Sequence, residues 1–457
     1  MDKVALGVGW IGALLQGCGP PQGPIPGRSP ANVLILLTDD QGVDKVGAYG
    51  EHPEPPPTPN IDALAERGVL FRNAWATPIC SPTRAALLTG RTGRRTGIGD
   101  VLQHRGGKEL PLREPTLPAL LKISDPSWST AAVGKWHLAA YNSASGPDHP
   151  NLVGFDRFAG SMSNLYDADE PDGLPHGFFH WEKITDGQVS KSQTYATTET
   201  VDDALAIIAE LPEPWLVYVP FNAPHRPLDP PPEHLHSFGP LTLGDPETLR
   251  YHAVVEALDT EIGRLLDGID PEVMARTNLF FAGDNGTPAH AITEPWNPRR
   301  GKLTPYEGGV NVPLIVAGPA VEAPGEESRA VVQILDIFAT ALELSGAALP
   351  NDVIFDSHSF AGQLSDPAAE GRPLVFSERF LPTGRPPYHT DWRLSRDGRF
   401  KVMEIDGQLG VFDLEGRDDD GPALDPEVLS GVDQLHVAAL LQAHHDYWDH
   451  IEPPGAF

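Results

Sequence analysis

Val33-Leu34-Ile35-Leu36-Leu37-Thr38-Asp39-Asp40 is an unbroken apolar run that stops at a threonine and two aspartates. An apolar run of strand length with no polar alternation fits a strand buried on both faces, as in a parallel sheet covered by helices. Two carboxylates at its end stand where open α/β sheets bind ligands, beyond the carboxyl ends of the strands. A turn or a helix cap explains one aspartate at that point better than two.

The same punctuation recurs three times. Thr130 to Val133 leads into Gly134-Lys135-Trp136-His137, Trp215 to Val219 into Asn222-Ala223-Pro224-His225, and Asn278 to Ala282 into Gly283-Asp284-Asn285-Gly286. Helical patterns separate them, over 60–68, 201–211 and 249–267. Strands alternating with helices predict an α/β fold, a large, mainly parallel sheet sandwiched by helices. Such a sheet gathers Asp39, Asp40, Lys135, His137, His225, Asp284 and Asn285 along one edge. Taken singly each has an ordinary explanation, since Asp284-Asn285-Gly286 is a good turn sequence and Lys135 and His137 suit an exposed loop. Their shared topological position is the signal.

Further on, a glycine-rich basic loop at 297–309 precedes a short buried strand at 313–316. A helix is expected over 330–346 and irregular chain over 350–366. The character changes at Arg372. Short strand-like pieces at 373–376, 392–395, 400–404 and 410–413 and a helix over 432–450 predict a small antiparallel sheet with a packing helix. His444, His445 and His450 read as part of a solvated helix face. The predicted units are thus 31–371 and 372–457.

Residues 1–17 have the form of an export signal. Lys3 precedes a 12-residue apolar run, Val4 to Leu15, which is too short to span a bilayer. Leu15-Gln16-Gly17-Cys18 resembles a bacterial lipoprotein cleavage box with Cys18 as the lipidated residue; a plain cleaved signal is the alternative. Residues 18–30, rich in proline and glycine, read as a tether. The expected location is the periplasm or a lipid anchor on a bacterial membrane.

The 457 residues include 33 basic and 63 acidic side chains, a formal charge of −30. That balance argues against a nucleic-acid partner. An anionic substrate then needs a local cluster of cations, which suffices because the long-range field is screened within about 8–10 Å at physiological salt. Two cysteines, Cys18 and Cys80, exclude a disulfide framework and a Cys-based zinc site.

Cys80-Ser81-Pro82-Thr83-Arg84 runs on through Ala85 to Arg91. Pro82 suits a first helical turn, Ala85 to Leu88 propagate a helix, and Gly90 closes it. Cys80 then sits at a helix N-terminus, where free N–H groups favour negative charge. Arg84, four residues on, shares its face and is expected to reach back toward it. A buried inert cysteine beside a salt-bridged arginine is the plain alternative. A cysteine-dependent phosphatase fits poorly, because its loop needs more residues between cysteine and arginine.

Cys80-Ser81-Pro82-Thr83-Arg84 with Leu88-Thr89-Gly90-Arg91 resembles the signature of the type I, formylglycine-dependent sulfatases of the alkaline phosphatase superfamily. The likeness extends over 32–414, through Asp39-Asp40-Gln41-Gly42, Gly134-Lys135-Trp136-His137, Ala223-Pro224-His225, Asp284-Asn285-Gly286, Gly301-Lys302 and Glu307-Gly308-Gly309. It implies an alkaline-phosphatase-like domain and a maturation enzyme that oxidises Cys80 to formylglycine. Asp39, Asp40, Asp284 and Asn285, with the modified Cys80, would hold a divalent metal, calcium or alternatively magnesium. Their oxygen donors independently suit these hard cations and not zinc.

The resemblance further implies that Arg84 fixes the formylglycine and that Lys135, His137, His225 and Lys302 surround the sulfate. A further polar residue near the substrate is expected among Ser161, Ser163 and Asn164. Leu303 stands where a glycine is usual, Gly283 where a serine is common, and Asn311 where an arginine often sits. The implied reaction is hydrolysis of a sulfate monoester by a formylglycine gem-diol, with His225 or Lys302 protonating the departing alcohol and His137 as the base of sulfate release. A phosphonate or phosphate ester hydrolase and a non-catalytic binder of sulfated glycans are the rival readings. The ester itself, aryl, choline, steroid or carbohydrate, is left open.

Overall fold

A computed structural model describes residues 31–165, 177–416 and 419–451. The stretches read as export signal and tether, and Cys18, lie outside the described residues.

Ten strands form one sheet: β1 Asn32–Thr38, β2 Gly68–Trp75, β3 Ser129–Lys135, β4 Arg157–Ser161, β5 Trp181–Thr185, β6 Gln188–Ser192, β7 Trp215–Pro220, β8 Thr277–Gly283, β9 Leu314–Ala317 and β10 Glu326–Gln333. Their order is β10-β2-β9-β8-β1-β7-β3-β4-β5-β6. The five strands from β8 to β4 are parallel. Outside them β9 is antiparallel to both neighbours, β10 is parallel to β2, and β5 and β6 are antiparallel. The sheet is therefore mixed, with a parallel centre.

β1 lies at that centre. Val33, Ile35 and Leu37 enter one core, while Leu34 and Leu36 enter the other across the sheet. All five are fully buried, which is why the sequence has no alternation here. Each such side chain contributes about 1.5–3 kcal/mol by leaving water. Register then aligns the strand ends: Thr38 pairs with Gly283, and Leu37 with Pro220.

The flanks differ from expectation. The first helix is Pro59–Glu66, and Gly68 begins β2, a strand the helical pattern hid. A Cβ at Gly68 would lie 2.5 Å from the Val316 carbonyl oxygen, so the strand can start there only with glycine. The helix expected over 330–346 begins at Asp336. Residues up to Gln333 belong to β10, whose Val331–Gln333 pair with Asn73–Trp75. The region expected to be irregular, 350–366, contains a short helix, Ala361–Ser365.

β11 Val375–Leu381, β12 Thr390–Arg396, β13 Phe400–Ile405 and β14 Gln408–Asp413 form the antiparallel C-terminal sheet, with the helix Gly431–His450 against it. That helix is not solvated at His444, which is fully buried and bonded to Ser395 Oγ (2.8 Å) and Glu404 Oε2 (3.3 Å). Among the described residues no helix is long and apolar enough to cross a membrane.

Candidate active site

The strand tips converge as the alternating pattern predicts. Cys80 opens the buried helix Cys80–Thr89, whose chain reverses at Gly90 in a left-handed conformation (φ 65°). Its Sγ is 3.3 Å from Asp39 Oδ1 and 4.0 Å from Asp40 Oδ1, both beyond β1. Lys302 Nζ, from the basic loop, is 3.6 Å from the same sulfur and also donates to Asp40. Lys135, at the end of β3, donates to Asp39 and, at 2.6 Å, to Asn164 Oδ1. His225, after β7, has Nε2 3.8 Å from Asp40 Oδ2.

Arg84 does not turn back to Cys80. Its Nε and Nη2 donate to Asp284 Oδ2 at 3.0 and 2.8 Å, and Nη1 to the Lys135 carbonyl at 2.9 Å. The Asp284 carboxylate beyond β8 is within its reach, and a guanidinium engages a carboxylate far better than a thiol. Asp284 Oδ1 accepts from the Asp40 N–H at 3.1 Å. Asn285 Nδ2 donates to Asp40 Oδ1 at 2.8 Å, leaving Asn285 Oδ1 buried without a partner. Of the three polar candidates at the end of β4 and just beyond it, Asn164 touches Lys135, while Ser161 and Ser163 face Asn222 and His104.

Asn222 and Tyr251 were not singled out in the sequence. Asn222 donates to Ser161 Oγ at 3.1 Å, and the Tyr251 hydroxyl donates to the Asp40 carbonyl at 2.6 Å. Asn222 belongs to the Asn222-Ala223-Pro224-His225 stretch after β7, but no local pattern points from a helical tyrosine to a loop carbonyl. The odd residues also find reasons. A Cβ on Gly283 would meet the Gln41 carbonyl at 2.5 Å, so serine does not fit there, and Asn311 Nδ2 donates to the Arg72 carbonyl at 3.2 Å.

Charge is concentrated and buried. Asp39, Asp40 and Asp284 face Arg84, Lys135 and Lys302. Burial alone pushes Asp39 up, but Lys135, His225, Arg84 and Lys302 together bring it well below the usual carboxylate range. Asp284 is pushed up to about 7 by burial and by Asp39, against the pull of Arg84. Burial, then Asp284 and Asp39, push the Cys80 thiol well up, so it is a neutral and poor nucleophile as it stands. His225 is pushed down to about 4 by burial, against Asp40 and Asp39. Its Nδ1 lies 2.6 Å from the Arg226 carbonyl, which can only accept, so Nε2 of the neutral ring carries no proton. His137 is held well below its ordinary range by burial and then by Lys135, and its Nδ1 has no partner.

Among the described residues Asp39, Asp40, Cys80 and His225 each offer a ligand atom within 4.8 Å of the others. Asp284 and Asn285 adjoin this group, with the Asp284 oxygens engaged and one Asn285 oxygen open. Three buried carboxylates, one of them pushed toward neutrality, and an unpaired amide oxygen fit a hard divalent cation.

Comparison with known proteins gives the family. Residues 31–347 match the sulfatase family model. The chain is 31% identical over 422 residues to N-acetylgalactosamine-6-sulfatase of Canis lupus familiaris, covering 82% of this chain and 74% of the relative. It is 29% identical over 390 residues to arylsulfatase G of Rattus norvegicus, covering 76% and 70%. The crystal structure of Ps i-CgsB superposes with a TM-score of 0.78 at 24% identity, over 93% of this chain and 94% of that one. BT4656, solved in complex with its substrate D-glucosamine-2-N,6-O-disulfate, gives a TM-score of 0.70 at 19% identity, over 93% and 99%. At those identities the structures speak to the fold, which is shared almost end to end. The chain belongs to the sulfatase family, enzymes that hydrolyse sulfate esters.

Proposed function

We propose that the protein hydrolyses a sulfate monoester of a carbohydrate through a formylglycine derived from Cys80, with a divalent cation, calcium by preference, held by Asp39, Asp40, Asp284, Asn285 and the modified residue. The single observation that carries this is a buried Cys80 at a helix N-terminus, 3.3 Å from Asp39 and 3.6 Å from Lys302. As a neutral thiol it is a weak nucleophile, and that favours a modified residue over thiolate chemistry. The carbohydrate class draws support from the relatives named N-acetylgalactosamine-6-sulfatase and from the structural neighbour bound to a sulfated glucosamine.

When present, the hydrated formylglycine supplies an attacking oxygen and a second hydroxyl that permits elimination, and the cation lowers the pKa of the attacking group. The chain's own residues do the rest. Lys135 and Lys302 bind the sulfate oxygens, and Arg84 holds Asp284 and the floor of the site. Lys302 Nζ, a three-donor ammonium, gives its proton to the departing alcohol oxygen. His225, with Nε2 unprotonated when neutral, orients the ester by accepting a hydrogen bond from a hydroxyl of the carbohydrate beside it. His137, kept neutral by burial, accepts a proton during sulfate release.

The N-terminal pattern adds a second proposal: export to the periplasm, with Cys18 as a lipid anchor, and maturation by a formylglycine-generating enzyme. The test is intact-mass measurement with turnover. Conversion lowers the mass by about 18 Da, and converted protein should cleave 4-nitrophenyl sulfate far faster than 4-nitrophenyl phosphate. The reverse preference makes it a phosphate ester hydrolase, and full retention of the thiol in protein from its native host makes it a binder.

A further inference from the structure

Among the described residues five that are not glycine have left-handed backbones: Asp40 (φ 70°), His137 (58°), Asp186 (46°), Leu303 (67°) and Asp406 (48°). Asp186 and Asp406 precede Gly187 and Gly407 in the two-residue turns joining β5 to β6 and β13 to β14. Asp-Gly is an ordinary choice there. The other three all lie in the loops that build the site. Aspartate and histidine tolerate this conformation better than most residues, and both carry polar atoms the site uses. Leu303 does neither. A branched apolar side chain on such a backbone is strained, and strain of that kind clusters where function maintains it.

Packing does not offset the strain, because Leu303 is 44% exposed. An exposed leucine alone means nothing. This one is fixed on three sides. The Lys302 N–H donates to the Thr287 carbonyl (2.9 Å), the Leu303 N–H to the Pro78 carbonyl (3.0 Å), and Thr304 Oγ1 to the Gly301 carbonyl (2.6 Å). The turn thus ties the loop after Asn285 to the segment before Cys80. Its preceding residue, Lys302, reaches to 3.6 Å from Sγ.

We infer that Leu303 is a specificity residue, an apolar ledge at the rim of the site against which the group esterified to the sulfate packs. The cations grip the charged end of the ester, and Leu303 meets its uncharged end. The ligand class is a sulfate ester with an apolar face beside the ester oxygen, an aromatic ring or the C–H face of a sugar ring. This rests on the site's being a sulfate ester centre.

The experiment compares matured wild-type enzyme with Leu303→Asn and Leu303→Gly, using 2-naphthyl sulfate as substrate and inorganic sulfate as competitive inhibitor. Asparagine tolerates the left-handed turn and keeps a side chain, but removes the apolar surface. In both variants KM for 2-naphthyl sulfate should rise about fivefold, as expected for losing part of a leucine's burial. Inhibition by inorganic sulfate should stay unchanged, and the Leu303→Gly melting temperature should not fall. The inference is overturned if Leu303→Asn keeps the wild-type KM, or if KM and the sulfate inhibition constant rise together, which would mean that Lys302 had moved. A converted wild-type enzyme inactive on every sulfate ester would instead overturn the reading of the site.

Discussion

Two clusters of buried charge lie at the two ends of one loop, and they are built to opposite ends. At Lys302 the loop enters the site of Asp39, Asp40, Asp284 and Cys80. Five residues later Glu307 enters a second cluster, under the C-terminal sheet. Its Oε1 accepts from Lys401 (3.0 Å) and its Oε2 from Arg396 (2.8 Å) and Trp75 (3.3 Å). Asp420 accepts from the Glu307 N–H (2.6 Å) and faces Lys401 at 2.7 Å. There two acids meet two bases, and both Glu307 oxygens are engaged. Burial pushes Glu307 up, but Lys401 and Arg396 bring it below the usual range. At Asp39 and Asp284 the same residue types leave an open amide oxygen, an unpartnered imidazole nitrogen and a carboxyl pushed up to about 7. Burial of charge is common to both clusters, and the second also leaves Arg396 Nε and Asp420 Oδ1 without a hydrogen bond. But Asp420 Oδ1 is ion-paired with Lys401 at 2.7 Å, whereas Asn285 Oδ1 and His137 Nδ1 in the active one have no partner of either kind.

The largest effects separate the two directly. Cys80→Ala should lower turnover of an aryl sulfate by about 10⁴-fold or more, the scale of losing a covalent nucleophile, with a melting temperature close to wild type. Lys401→Met should do the reverse. Leaving Glu307 and Asp420 buried without their shared partner costs about 3–5 kcal/mol, read as a fall in denaturation midpoint, while turnover per folded molecule falls far less than in the cysteine variant. If Lys401→Met silences the enzyme at unchanged stability, the distinction fails.

How far the sequence revealed these clusters differs between them. The parallel centre is legible because β1 is buried on both faces and so carries no alternation. The strand-end residues are legible because they recur at one topological position. Gly90 and Pro82 mark the ends of the Cys80 helix by local chemistry alone. β2 and β10 are not legible, since both lie toward the sheet's edge and β10 is partly exposed, so their patterns neither alternate nor run apolar. Nor is the partner of Arg84. Helical spacing points it at Cys80, and only the tertiary fold brings Asp284, 200 residues away, into hydrogen-bond distance. The Glu307 cluster joins residues 94 and 113 positions apart and has no local signature at all.

Metal removal gives an intermediate effect on one region only. Chelation should abolish turnover, and the protein should lose the stabilisation a bound ion confers, about 2.7 kcal/mol when the ion is present at a hundred times its dissociation constant. Calcium should restore both. The Lys401→Met variant should show the same calcium-dependent increment as wild type, because the carboxylates of the second cluster already face Lys401 and Arg396 and lie outside the proposed ion site. An increment that vanishes in that variant would mean that the two clusters are coupled through the loop between them.

The smallest effect concerns protons and falls in the C-terminal region. Ser395 Oγ accepts from Trp448 Nε1 (3.2 Å), which leaves its hydroxyl proton for His444 Nδ1 (2.8 Å) and the imidazole N–H for Glu404 (3.3 Å). A neutral ring satisfies every partner. Burial pushes His444 down to about 4, with Glu404 opposing, whereas an unfolded histidine titrates near 6.5. The unfolded chain therefore takes up the proton first as pH falls. The contribution of His444 is present in full above about pH 6.5 and is lost as pH falls toward 4. His225, also pushed down to about 4 by burial, has the same sign. Working in saturating calcium holds the active-site half fixed, so that the remaining slope isolates the C-terminal half. Under those conditions His444→Gln should lose less of its melting temperature between pH 6.5 and 4.5 than wild type. An unchanged slope would assign the pH dependence to other titrating groups, and His444 would then be indifferent to protons over that range.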